Sequence, residues 1–83
     1  MPQRSGPALG VDWFRVITDL ASAGLRLRGI ADAIDVPTAT LIGWKQGAEP
    51  KHIDGDRLIA LWMTETGQAR DAVPRAPYWR RHA

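Results

Sequence analysis

The chain has 83 residues, 45% of them apolar and 24% charged, with a formal net charge of +2, a balance that fits one soluble globular domain and excludes a disordered chain. The absence of cysteine excludes a disulfide staple and a thiolate zinc site, and with His52 and His82 as the only imidazoles no metal or other cofactor is expected. The longest apolar run, residues 58–63, is too short to span a bilayer, and residues 1–10 hold no apolar stretch of signal-peptide type, so the expected location is the cytoplasm.

Residues 1–10, with two prolines and two glycines, read as a flexible N-terminal arm. The helical period begins after it. Trp13, Ile17, Leu20, Ala21 and Gly24 share one face, with Phe14 and Val16 widening it. Asp12 suits an N-cap and Gly24 the residue after the helix, so a first helix is predicted over residues 12–23. A short helical stretch over residues 28–34 is broken by Asp35, Val36 and Pro37, and a second runs over residues 38–46 before Gly47. A fourth helix is predicted over residues 55–66, where Leu58, Leu61, Trp62 and Glu65 share a face, Asp54 caps the start and Gly67 ends it. Trp13, Trp44 and Trp62 fall on inward faces and are assigned to the core. Residues 68–83 contain Pro74 and Pro77 and read as an extended tail. The tail also carries the basic character. Residues 1–67 hold seven Arg or Lys against eight Asp or Glu, whereas residues 68–83 hold four Arg against Asp71 alone.

The middle of the chain, residues 27–46, resembles the helix-turn-helix of the lambda-repressor-like (Cro/CI, XRE) DNA-binding family. Ala31 stands where that motif needs a small residue, and Ile30, Ile34, Val36, Leu41 and Trp44 occupy its buried positions. The likeness extends outward to Gly24-Leu25 before the motif, to Gly47 and Pro50 after it, and to the closing pattern from Asp56 to Trp62, covering roughly residues 12–67. It departs at the turn, where the family commonly has Gly and this chain has Asp35, and at the start of the first motif helix, where Arg26 and Leu27 replace a Ser or Thr cap followed by Gln. The resemblance implies an all-α, four-helix domain over residues 11–67, flanked by extended N- and C-terminal arms.

In the family's docking geometry the second motif helix enters the major groove. Its outward face here is Thr38, Ala39, Ile42, Gly43 and Gln46, the expected base-contacting residues. Arg26, Arg28, Lys45 and Lys51 flank it and are expected at phosphates. In the tail, Tyr78, Trp79, Arg80 and Arg81 interleave aromatic rings with cations, a pattern open to DNA contact, docking on a second subunit or a disordered end. The resemblance thus implies a transcriptional regulator, phage or prophage encoded, that binds a palindromic operator on double-stranded DNA as a homodimer in a bacterial cell. A protein-binding adaptor of antirepressor or antitoxin type is the alternative, because residues 1–67 are net negative. An accessory DNA-binding factor in phage recombination or transposition is another. The sequence offers no catalytic constellation, and no enzyme is expected.

Overall fold

Asp12 decides where the helical body begins. Its carboxylate accepts the Arg15 N–H at 3.1 Å, capping a helix that runs over Trp13–Ser22. The computed structural model describes residues 9–77, with side chains over 10–76. Its order is β1 (Leu9–Val11), α1 (Trp13–Ser22), α2 (Leu27–Ile34), α3 (Thr38–Lys45), α4 (His52–Thr66), a 3-10 turn (Arg70–Ala72) and β2 (Arg75–Pro77). The protein is mostly helical, and the four expected helices are present. No helix among the described residues is long and apolar enough to cross a membrane.

The helices end as their sequences dictate. At the end of α1, Gly24 takes φ +104°, which lets its N–H reach the Ala21 carbonyl while Leu25 N–H reaches that of Leu20. This pair of bonds reverses the chain and returns the half-buried Leu25 to the core. The packed face of α1 differs from the expected one. Val16 is buried with Trp13, Ile17 and Leu20, whereas Ala21 is exposed and Phe14 stands 53% exposed. The 100° step between successive residues carries Phe14 off the stripe that Trp13 and Ile17 define.

The expected start of α4 is corrected. The helix begins at His52, three residues earlier than predicted, with Lys51 as its extended N-cap and Gly55 N–H donating to the Lys51 carbonyl at 2.8 Å. Asp54 lies within the first turn and does not cap; its charge still faces the positive end of the helix. Gly55, which resembles a helix boundary in the sequence, is a helical residue on which the Trp13 ring of α1 rests. A methyl group there would lie 3.0 Å from the Trp13 ring. The core gathers Ile17, Leu20, Ile30, Leu41, Leu58 and Trp62 from all four helices. Trp62 Nε1–H donates to the Asp19 carboxylate at 3.0 Å across α1 and α4.

The expectation of extended arms is also corrected for the described parts of residues 1–10 and 68–83. Leu9, Gly10 and Val11 pair antiparallel with Pro77, Ala76 and Arg75, adding a two-stranded sheet to the helices. Asp12 N–H donates to the Pro74 carbonyl at 2.9 Å, and Val73 and Ala76 are buried. The prolines permit this because the sheet has only two strands, so each is an edge strand. Asp56 holds the 3-10 turn, accepting Arg70 Nη2–H at 2.7 Å on one carboxylate oxygen while His52 Nε2 lies 3.2 Å from the other. The Arg70 hydrogen bond holds the Asp56 carboxyl below its ordinary range against an opposing effect of desolvation, and His52 adds to the lowering.

Two outcomes follow from the docked tail. A chain ending at Gly67 should lose about 1 to 3 kcal/mol of stability, the scale of burying Val73, read as a lower midpoint in urea. Because the folded pKa of Asp56 is depressed, its contribution is present above the ordinary carboxylate range and is lost as pH falls through the depressed value. Asp56→Asn should therefore flatten that part of the acid limb of stability; an unchanged limb would show that the clamp contributes nothing.

Candidate nucleic-acid interface

Between α2 and α3 the chain turns on Asp35, which adopts the left-handed conformation at φ 61°, ψ 50°. Asp35 N–H donates to the Asp32 carbonyl at 3.3 Å and Val36 N–H to that of Ala31 at 3.0 Å, closing α2 in the same manner as α1. Asp reaches this conformation less readily than Gly but more readily than a branched residue. Pro37, with φ −63°, then opens α3, its carbonyl accepting the N–H groups of Thr40 and Leu41. The departure from Gly at the turn leaves the reversal intact.

Packing fixes how α3 is rotated. Leu41 and Trp44 are buried on its inner side, opposite Ile30, Ala31 and Ile34 of α2. Ala31, only 1% exposed, supplies the small side chain at this contact. The remaining face of α3 carries all five residues expected to meet bases. Ala39, Ile42 and Gln46 are exposed, and Thr38 and Gly43 are partly so. A methyl group built on Gly43 would meet only the Ala48 Cβ, at an ordinary 3.9 Å, so packing does not demand glycine there.

The expected phosphate contacts are differently placed. Arg26 and Arg28 are exposed at the start of α2, where Arg26 is the N-cap residue and makes no side-chain capping bond. Lys51 stands in the same position before α4, also exposed and without a capping bond. Of the four helices only α1 is capped by a side chain. A cation at the positive end of an uncapped helix is unfavourable; at α4 the Asp54 carboxylate in the first turn offsets it, whereas α2 has no acidic residue in its first turn. Lys45 is half-buried, with its ammonium 5.8 Å from the centre of the Phe14 ring. That cation–π contact draws it toward α1. Tyr78, Trp79, Arg80 and Arg81 lie outside the described residues.

Two exposed side chains that the sequence reading did not single out as surface features are Phe14 and Ile53, the latter 57% exposed. The helical wheel of α1 carries a signal for Phe14, one step off the buried stripe. Ile53 becomes legible only once α4 is known to start at His52. No family model, curated protein or solved structure matches the chain, so the residues and their arrangement carry the functional reading.

Asp35→Gly should stabilise the protein by a few tenths to about 1 kcal/mol, the left-handed strain it removes less the added freedom of the unfolded chain, whereas Asp35→Val should destabilise it. Thermal melts of the two variants check the pair, and equal effects would remove the turn as the reason.

Proposed function

We propose that this chain is a sequence-specific DNA-binding regulator of the lambda-repressor-like, helix-turn-helix type, phage or prophage encoded, acting as a homodimer on a palindromic operator. In this reading α2 and α3 form the helix-turn-helix and α3 enters the major groove. The observation that supports it most is the rotation of α3, which buries Leu41 and Trp44 and leaves Thr38, Ala39, Ile42, Gly43 and Gln46 uncovered on one face. Arg26, Arg28 and Lys51 at the two uncapped helix starts are the phosphate-binding groups in this reading, setting register without specifying sequence. Gly43 admits the helix backbone close to the groove floor.

A second reading, a protein-binding adaptor, draws on the exposed Phe14 and Ile53 and on the net negative charge of residues 1–67, which weakens attraction to a polyanion. The two readings diverge in one experiment. Selection from a random duplex pool at physiological salt should return a two-half-site motif, and Thr38→Ala or Gln46→Ala should each cost on the order of 1 to 3 kcal/mol of specific binding. Gly43→Glu should abolish binding while the helical circular dichroism and the melting temperature hold, because it places charge and bulk at the groove but meets only Ala48 in the protein. A pool with no enriched sequence would sink the DNA reading and favour the adaptor.

A further inference from the structure

The outward face of α3 has an unusual chemistry. In the span Thr38–Lys45 the only charged side chain is Lys45, and it is half-buried with its ammonium over the Phe14 ring. The face therefore offers no free guanidinium or ammonium for the guanine O6 and N7 acceptors, and no carboxylate for the cytosine amino group. What it offers is Ile42, held 39% exposed while its neighbours Leu41 and Trp44 are buried, the exposed Ala39 one turn before it, and Gln46 one turn after it. An exposed isoleucine on such a face gains by covering apolar surface, and thymine supplies the one apolar group in the major groove, its 5-methyl. Gln46 has the paired donor and acceptor that match adenine N7 and N6, and Thr38 suits either base. Exposed cations at the starts of α2 and α4 fit a polyanion better than an apolar protein groove.

We propose that this face reads A·T base pairs, with Ile42 as the specificity-determining residue that covers a thymine methyl group, Ala39 beside it, and Gln46 on a neighbouring adenine. The proposal rests on the DNA-binding reading and adds to it the bases recognised. It makes the apolar side chains of α3 readers in their own right, with the hydrogen-bonding pair Thr38 and Gln46 flanking them.

The test uses the full-length protein and the duplex returned by random-pool selection, synthesised with thymine and again with uracil at each position of the half-site core. Uracil keeps every hydrogen-bonding group and lacks only the methyl. The selected core should consist of A·T pairs, and at one or two positions uracil should weaken binding roughly three- to fivefold, the size of one buried methyl-sized group. In Ile42→Ala, whose folding is verified by circular dichroism, the uracil effect at one of those positions should vanish, because the group that covers the methyl is gone. A core of G·C pairs, or uracil duplexes bound as tightly as thymine ones, would overturn the proposal and leave the DNA-binding reading standing. A uracil effect equally large in Ile42→Ala would overturn the assignment to Ile42. Failure to enrich any duplex would overturn the DNA-binding reading itself, and this proposal with it.

Discussion

Burial of Leu41 and Trp44 is the constraint on which the candidate site depends. A helix presents one face every 3.6 residues, so anchoring two residues three apart in the core leaves no freedom in which others face outward. The turn at Asp35 supplies the other half of the constraint by setting where α3 begins relative to α2. Together the turn and the two anchors expose a row of small and apolar side chains at positions where a surface helix would ordinarily carry charge. An apolar outer face on a helix whose inner face is already buried has no role in holding the domain together. Its composition is therefore open to a role in binding.

The rest of the fold serves to hold that helix pair. The far edge of the Trp13 ring rests on Gly55, so this side chain of α1 fills the space beside the N-terminal turn of α4. Farther along, Trp62 bonds to Asp19 and ties the same two helices again. The ends of the described chain then complete the body, since Val73 and Ala76 are buried as fully as many helical core residues. A chain of this length has little core to spare, and these residues past α4 enlarge it. The Asp56 carboxylate, held by Arg70 and beside His52, ties the same segment to α4 through polar contacts.

Much of the helical body was legible in the residue pattern, because apolar residues spaced by three and four, an acidic N-cap and left-handed C-terminal residues are local signals. The start of α4 was not. Asp54 and Gly55 together look like a cap and a boundary, yet Gly55 lies inside α4, its N–H bonded to the Lys51 carbonyl and its bare backbone leaving room for the Trp13 ring. The strand pair was illegible for a different reason: three-residue strands are too short to display alternation, and their partners lie at opposite ends of the chain. Pro74 and Pro77 pointed to an extended tail apart from the body, whereas its described part forms a 3-10 turn and the strand β2, docked on the helices. The outward face of α3 could be listed from the sequence once Leu41 and Trp44 were taken as buried. Lys45 could not be separated from the exposed cations, because its contact with Phe14 joins residues distant in the chain.

The strand pair also bears on the order in which the molecule assembles. Joining Leu9 to Pro77 closes a loop around the whole helical body, and the entropy lost in closing so long a loop is recovered only when its ends are already held near each other. Pairing in α2 and α3 is local and quick by comparison. The helices therefore form first and bring the two strands together, and a two-stranded ribbon with open edges is the first element to separate again. The helix pair bearing the proposed reading face thus does not depend on the strand pairing, the most distant contact in the described chain.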